Sequence, residues 1–325
     1  EKAKHALEKS RKIIADKLNT KPNEIIFTSG ATESNNLALR GTANYYKKGN
    51  IITTKIEHAS VLDTCKDLEK QGYKITYLDV DQQGYINIED LENKITKDTI
   101  LISIIHANNE IGTIQNLDKI SEITLKRKII FHTDASQSFC KINLNSKNID
   151  LISLNSHKIH GPKGIGALYI KSGTKISPEI TGGSQEQNLR SGTENLPAIV
   201  GFAKSVELFT NKEVDQITKL KDYFIEELLK LRGTKLNGPI DRLCNNINIQ
   251  FPNIESDSLL LKLDKQGIYT SIGSACSSKK QSHVLKAIGL SDKQIKHSLR
   301  LSLSIYNTKQ EIDYTIKKIK EIINN

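Results

Sequence analysis

The chain has 325 residues, of which 37% are hydrophobic and 26% are charged, and its formal net charge is +10. That length is sufficient for two domains and a sizeable core, while no apolar run approaches the ~20 residues that a membrane-spanning helix needs. There is no signal-peptide pattern, so a cytoplasmic location is expected.

Predicted strands and helices alternate through the first part of the chain. Apolar strands are predicted at residues 25–28, 50–53, 74–78, 99–105, 128–132, 151–154 and 166–170. Helices are predicted at residues 2–18, from 29–33 to about 47, from 57–60 to 70, at 88–94 and at 117–126. Repeated strand–helix units predict an α/β fold with a mostly parallel central sheet that is flanked by helices.

The remainder of the chain predicts a smaller α+β unit. A long helical region at residues 197–231 precedes strands at 246–251, 268–271 and 299–303, with helices at 256–265 and 308–323. We therefore expect a large domain at residues 1–210 and a small C-terminal domain at residues 211–325.

The stretch from Asp150 to Gly164 is the first candidate for a functional site. Its apolar strand at residues 151–154 is followed by polar residues that include His157 and Lys158, and Gly-Pro-Lys-Gly comes shortly after. Ligand sites in open α/β sheets lie at such strand ends, where a lysine can form a Schiff base with a carbonyl cofactor. The alternative is an ordinary surface lysine in a loop.

Further polar residues gather at the predicted carboxyl ends of other strands: Thr32, His58, Asn109, Asp134 and Gln137. If Lys158 carries pyridoxal phosphate, Asp134 is the candidate carboxylate for the pyridine nitrogen. His58 could lie over the ring and move protons, because the unperturbed pKa of histidine is ~6.5. Taken singly, such an aspartate is more often a helix N-cap, and a lone histidine is more often structural.

The other groups of the cofactor also have candidate partners. Ala31 and Thr32 at a helix start, together with His157, could donate hydrogen bonds to the phosphate. Asn109 or Gln137 could bind the phenolic oxygen.

The four cysteines, Cys65, Cys140, Cys244 and Cys276, include no Cys-x-x-Cys pair, so a disulfide framework and a zinc site are poorly supported. Cys276 lies among Gly, Ser and Ala and precedes two lysines, which favours a reactive thiolate. Cys65 and Cys140 lie in apolar contexts that are typical of packing residues. Arg300 interrupts an alternating strand and is either a surface charge or a fork for a substrate carboxylate.

The net positive charge comes from lysines that are scattered through predicted helices. This distribution is typical of solvated helix faces, with a transient acidic or RNA partner as the alternative. Aromatic residues make up only 5% of the chain, which leaves little for base stacking.

Together these motifs resemble a known family, the group I (NifS/IscS-like) cysteine desulfurases of the class V aminotransferase superfamily. The matching stretches follow the family's order over nearly the whole chain: Thr28-Ser29-Gly30-Ala31-Thr32-Glu33-Ser34-Asn35-Asn36, Glu57-His58, Asn108-Asn109-Glu110-Ile111-Gly112, Asp134-Ala135-Ser136-Gln137, His157-Lys158, His160-Gly161-Pro162-Lys163-Gly164, Arg190-Ser191-Gly192-Thr193, Gly273-Ser274-Ala275-Cys276 and Arg300-Leu301-Ser302.

The resemblance implies fold type I of the pyridoxal-phosphate transferases and a role for each matching residue. Lys158 is the implied Schiff-base lysine, Asp134 the partner of the pyridine nitrogen, and His58 the ring-stacking acid/base. The implied cofactor ligands are Ala31, Thr32, Asn109, Gln137, Asn155 and His157, with Thr193 reaching the cofactor phosphate of the other subunit of a homodimer. The implied substrate-binding residues are Asn35 and Arg300, and Cys276 is the implied nucleophile.

The implied reaction converts L-cysteine to L-alanine and leaves the sulfur on Cys276 as a persulfide. The implied acceptor is an iron–sulfur scaffold or a tRNA thiolation enzyme. Asn155 departs from the pattern, since the family usually has Ser there. A selenocysteine lyase, an aminotransferase and a basic RNA-associated protein without catalysis are the alternatives; transamination needs no thiol, and intact Lys158 and Asp134 argue against the last.

Overall fold

A computed structural model describes residues 1–273 and 281–324, which form two compact units. The first unit comprises residues 1–78, 86–107 and 115–210, and the second comprises residues 79–85, 108–114 and the described residues from 211 onward. Residues 79–85 and 108–114, which the sequence placed in the large domain, thus belong to the second compact unit. The division into a cofactor-binding domain and a small domain stays a prediction.

A seven-stranded sheet forms the centre of the first unit, in the order β1-β7-β6-β5-β4-β2-β3. Its strands are β1 (Ile25–Thr28), β2 (Asn50–Thr54), β3 (Lys74–Leu78), β4 (Thr99–Ser103), β5 (Ile130–Asp134), β6 (Leu151–Asn155) and β7 (Gly166–Ile170). All neighbours are parallel except the two pairs that contain β7. Six strands therefore end at one edge, and the predicted mostly parallel sheet is confirmed.

Six α-helices belong to this unit: α1 (Lys2–Leu18), α2 (Ala31–Tyr46), α3 (Ala59–Lys70), α4 (Ile88–Lys94), α5 (Leu117–Arg127) and α6 (Leu196–Leu208). Leu37 and Leu39 of α2 are buried in one apolar cluster with Ile51 of β2 and Leu168 of β7. Burial of each such side chain stabilises the fold by roughly 1.5–3 kcal/mol. This cluster fixes the helix that begins directly after β1.

The second unit contains a three-stranded antiparallel sheet, in the order β10-β9-β8. Its described strands are β8 (Lys235–Leu236), β9 (Asn246–Gln250) and β10 (Ser298–Ser302), and its described helices are α7 (Asn211–Leu229), α8 (Ser256–Asp264), α9 (His283–Ala287), α10 (Asp292–Lys296) and α11 (Lys309–Asn324). Among the helices of the two described ranges, none is both long and apolar enough to cross a membrane.

Two element predictions are wrong. Residues 268–271 form no strand, because only Ser271 pairs with Arg300 and the glycines on either side, Gly267 and Gly273, have φ of 74° and 60°. The predicted helix at 197–231 is two helices, since the backbone becomes extended at Phe209 (φ −95°, ψ 94°).

Candidate active site

Asp134 is the last residue of β5 and has 4% of its surface exposed. Its Oδ1 accepts hydrogen bonds from the backbone N–H (2.9 Å) and the hydroxyl of Ser136, and its Oδ2 accepts one from Asn35 Nδ2 (2.8 Å). A carboxylate has about four acceptor positions, so this side chain can still accept a donor from a bound ring.

A chain of hydrogen bonds connects Asp134 to His58. Asn35 Nδ2 also donates to Ser60 Oγ at 2.8 Å, and Ser60 Oγ lies 2.8 Å from His58 Nδ1. The backbone N–H of Ser60 donates to the same Nδ1, so His58 is also the N-cap of α3. Because Nδ1 accepts this backbone N–H, the neutral ring carries its proton on Nε2. Asn35 and His58 thus join the carboxylate in one network.

His132, on the same strand as Asp134, lies in the buried part of the sheet. Its Nδ1 lies 2.8 Å from Ser103 Oγ of β4, and its Nε2 lies 2.9 Å from Ser153 Oγ of β6. Burial lowers the pKa of this ring to about 4, although the charge of Asp134 opposes the shift. His132 is therefore a neutral bridge across three strands.

Lys158 follows β6, the neighbour of β5, within the 3-10 turn Ser156–Ile159. Since β5 and β6 are parallel, Asp134 and this turn are at the same edge of the sheet. His157 and Lys158 are exposed. Part of the His157 ring is still withdrawn from water, and this partial burial together with the positive charges of Lys158 and Lys163 lowers its pKa, which indicates an environment that favours an anion.

The N-terminus of α2 reaches the same edge through a close backbone approach. Gly166 pairs with Asn155 on one side and with Thr28 on the other. A Cβ at Gly166 would lie 2.7 Å from the Cα of Gly30, so only glycine fits there. Gly30 provides no side-chain cap for α2, and the first N–H groups of a helix lack intrahelical acceptors. These groups are available for an anion; Ala31 is buried and Thr32 is exposed.

Several buried polar atoms around the ends of β5 and β6 have no hydrogen-bond partner among the residues that the structure describes. They include Asn35 Oδ1, Asn155 Oδ1 and Ser156 Oγ. Buried polar groups are normally satisfied, so these atoms are available for a ligand at this edge. A carboxylate, an amine and anion donors at one edge are the groups that pyridoxal phosphate requires, and the residues present fit this cofactor.

The other predicted site residues lie in different places. Gln137 is half-buried, three residues after Asp134 in the first unit. In the second unit, the backbone carbonyl of Asn109 accepts a hydrogen bond from Asn246 Nδ2 (3.1 Å). Arg300 is half-buried in β10. Cys276 lies outside the described residues.

Thr193 is exposed and follows a strained loop in the first unit. Three successive residues of this loop, Glu186, Gln187 and Asn188, have left-handed backbones with φ of 43°, 58° and 64°. The buried carboxylate of Glu186 accepts two hydrogen bonds from the Arg11 guanidinium at 2.8 Å each and one from the Phe27 N–H at 2.7 Å. Such a conformation costs roughly 1–2 kcal/mol per residue, and these contacts hold it.

Cys65, Cys140 and Cys244 are buried, with 0%, 4% and 7% of their surfaces exposed. Burial raises the pKa of the Cys65 thiol well above its ordinary value and that of Cys140 to about 12. Both thiols are therefore unreactive at neutral pH. The prediction that Cys65 and Cys140 are packing residues is confirmed.

The site residues that sequence reasoning missed are hydroxyls: Ser60, Ser103, Ser136 and Ser153. Ser60 and Ser136 each follow a predicted site residue by two positions, which was a usable signal for a turn or cap. Nothing in the local sequence connects Ser103 or Ser153 to His132, because that contact depends on the strand order.

Residues 1–315 match the family model described as aminotransferase class-V. Cysteine desulfurase IscS of Methanosarcina thermophila is 50% identical over 332 residues, which cover 99% of this chain and 82% of that protein. Cysteine desulfurase IscS of Dictyoglomus turgidum is 48% identical over 329 residues, which cover 98% of this chain and 84% of that protein.

Solved structures give the same result. A NifS-like protein is 40% identical, with a TM-score of 0.93, and the match covers 99% of this chain and 88% of that chain. SspA in complex with cysteine is also 40% identical, with a TM-score of 0.84 and coverage of 94% and 89%.

Proposed function

Since the chain belongs to the class-V aminotransferase family and, within it, to the IscS-type cysteine desulfurases, we propose that it converts L-cysteine to L-alanine and takes up the sulfur as a persulfide. The observation that carries this proposal is Asp134, a buried carboxylate with both oxygens hydrogen-bonded, at the sheet edge that also bears Lys158. The cofactor is pyridoxal phosphate, which supplies a ring that stabilises negative charge on the substrate carbon.

Different residues would bind different groups of the cofactor, and most of them belong to the first unit. Lys158 would hold it through the side-chain amine, and Asp134 would keep the ring nitrogen protonated. Phosphate donors would come from the N-terminus of α2 at Ala31 and Thr32, and from Asn155 and His157. Gln137 and, in the second unit, Asn109 are the proposed partners of the ring oxygen.

His58 is the proposed acid/base. Ser60 and the α3 N-terminus hold its Nδ1 as an acceptor, so Nδ1 is the ring atom that takes up a proton and Nε2 is the atom that gives one. The network from Asp134 through Asn35 and Ser60 fixes the orientation of the ring. A fixed ring favours proton transfer at one defined position on the substrate.

Cys276 is the proposed nucleophile, and Arg300 and Asn35 are the proposed substrate-binding residues. The Cys276 thiolate forms an S–S bond with the substrate sulfur while the C–S bond breaks, and the electron pair of that bond stays on carbon. The carbon then takes up a proton, which yields alanine, and the enzyme retains the persulfide.

We further propose that the protein acts as a homodimer, with Thr193 reaching the cofactor phosphate of the second subunit. An acceptor then receives the sulfur, either an iron–sulfur scaffold or a tRNA thiolation enzyme. A cytoplasmic location stays a prediction.

The test is to load the purified protein with pyridoxal phosphate, add cysteine, and measure alanine and protein-bound persulfide. Lys158→Ala should abolish the absorbance of the bound cofactor near the visible edge. Cys276→Ala should keep that absorbance and stop alanine release. Normal turnover by Cys276→Ala would contradict the assigned nucleophile, and a keto acid instead of alanine would indicate a transaminase.

A further inference from the structure

Glu57, which has no role in the reaction proposed above, lies between β2 and α3, directly before His58. Its side chain is fully buried, with 0% of the residue exposed. Its Oε1 accepts hydrogen bonds from Thr54 Oγ1 and from the Ile105 N–H, both at 2.8 Å. The carboxyl group therefore joins the end of β2 to the chain that leaves β4.

That segment of chain runs alongside Asp134. The N–H of Ile104 donates to the His132 carbonyl and the N–H of His106 donates to the Asp134 carbonyl, each at 3.1 Å. The contact that Glu57 makes at Ile105 lies between these two backbone bonds. A carboxyl group at this place is thus built into the support of Asp134.

The titratable groups that act on Glu57 are Asp134 on β5 and Cys65 on α3, and the His132 ring lies on the same strand as Asp134. Burial keeps the His132 ring and the Cys65 thiol uncharged at neutral pH. Asp134 is the like charge, and two neighbouring buried carboxyls do not both ionise readily. One of the pair is therefore expected to keep its proton.

Glu57 is the member of the pair that keeps it. Burial raises the pKa of Glu57 to about 8, against the hydrogen bonds from Ile105 and Thr54 and with a further increase from the charge of Asp134. A protonated carboxyl still accepts hydrogen bonds on its carbonyl oxygen, so both observed contacts persist in the neutral form.

We propose that Glu57 is a positioning residue that stores a proton beside Asp134, so that Asp134 carries the negative charge of this buried region. This inference rests on the proposed function for the use of that charge at the cofactor ring. Ionisation of Glu57 would place a second negative charge in the same region and weaken the support of Asp134 and His58.

The first test compares the unfolding equilibria of the cofactor-free wild type and Glu57→Gln between pH 5 and 9. Glutamine keeps an acceptor for Thr54 and Ile105 but cannot ionise. The folded pKa of Glu57 exceeds the unfolded value of 4.5. The stabilising contribution of neutral Glu57 is therefore complete below the unfolded pKa, decreases as the pH rises from the unfolded to the folded pKa, and is lost once the pH has risen through the folded pKa. The ratio of the wild-type to the variant unfolding constant should therefore rise by up to about tenfold per pH unit and level off above about pH 8.

Glu24→Gln is the matched control, because Glu24 is also a buried glutamate of the first unit. Burial opposes ionisation there, but hydrogen bonds from Lys21 and Ser172 lower the pKa of Glu24. Its contribution is lost only at acid pH, so its ratio should be constant from pH 6 to 9. A constant ratio for Glu57→Gln as well would overturn the proposal and leave Glu57 as a structural contact.

The second test uses infrared spectroscopy on the cofactor-free protein, and does not depend on the stability of a Glu57 variant. A protonated carboxyl band should be present at pH 7 in the wild type and disappear as the pH rises through about 8. In Asp134→Asn the midpoint should move to lower pH, because the neighbouring charge is gone. No band at pH 7, or an unchanged midpoint in Asp134→Asn, would contradict the proton store.

Both readouts use protein without cofactor or cysteine. A negative result would therefore remove the proton store and leave the desulfurase proposal standing. Absence of alanine release in the activity assay would remove the desulfurase proposal and leave the protonation of Glu57 standing.

Discussion

The ends of the neighbouring strands β5 and β6 carry the two central residues of the candidate site in opposite environments. At the end of β5, Asp134 is buried and accepts three hydrogen bonds. After β6, Lys158 is exposed, and the side chains of Asn155 and Ser156 have buried polar atoms with no hydrogen-bond partner in the described chain. The polar side chain at the end of β5 is hydrogen-bonded within the protein, whereas those at the end of β6 still have polar atoms without a partner in the described chain.

The difference follows from what each group has to do. A buried charge is costly unless hydrogen bonds compensate it, so Asp134 is held by groups that fold with it. An amine that, as proposed for Lys158, releases the cofactor to the substrate needs access. We infer that the fixed charge is built by the fold and that the covalent attachment is left accessible.

Loss of the fixed charge should have the largest effect. Asp134→Asn should lower kcat for alanine release by about 100- to 1000-fold, the range found when one preorganised electrostatic group is removed. The measurement is steady-state alanine release at saturating pyridoxal phosphate and cysteine.

Asp150→Asn is the matched control, because Asp150 precedes β6 at the opposite edge and accepts a hydrogen bond from the Phe131 N–H (2.9 Å). It should change kcat by less than about threefold, as for a residue away from the reacting atoms. Equal losses in both variants would remove the distinction between the two strand ends.

The network behind Asp134 should affect stability next. Asn35→Ala removes a donor to a buried carboxylate and to Ser60, and should lower the free energy of unfolding by about 1.5–3 kcal/mol. Urea titration at pH 7 measures it. Asn93→Ala, the same substitution at an exposed helical position, should stay within about 0.5 kcal/mol. If the two variants are equally stable, the network does not hold Asp134.

A substitution at Asn155, the end of β6, should have the smallest effect, and it should improve cofactor binding instead of weakening the protein. Asn155→Ser supplies a hydroxyl donor at this strand end, so the Kd for pyridoxal phosphate should fall by about two- to tenfold, equivalent to one hydrogen bond. Titration of the cofactor-free protein measures it. Asn155→Ala provides no hydroxyl and should not bind more tightly; tighter binding by both would show that the effect is not a hydrogen bond.

Much of this arrangement could be predicted from the sequence. Short apolar runs followed by polar residues placed Asp134 and Lys158 after two strands, and the parallel sheet brings them to one edge. The resemblance assigned roles to these residues, and those roles stay proposals. Burial of Cys65 and Cys140 followed from their apolar surroundings.

The remainder depends on information that is absent from local patterns. The link from Asn35 to Ser60 joins residues 25 positions apart, and the bridge made by His132 depends on which strands are neighbours. The helices α9 and α10 have five residues each, too few for a clear periodicity. The reversed direction of β7 likewise follows from its pairing and not from its composition.

The contact between Arg11 and Glu186 has a consequence for synthesis of the chain. The two residues are 175 positions apart, and a buried guanidinium without its carboxylate is strongly destabilising, by about 3–5 kcal/mol. At roughly 5–20 residues per second, a ribosome needs on the order of ten to thirty-five seconds between these two codons. Arg11 is made before Glu186, so this cation must wait for its counterion while the 175 positions between them are translated.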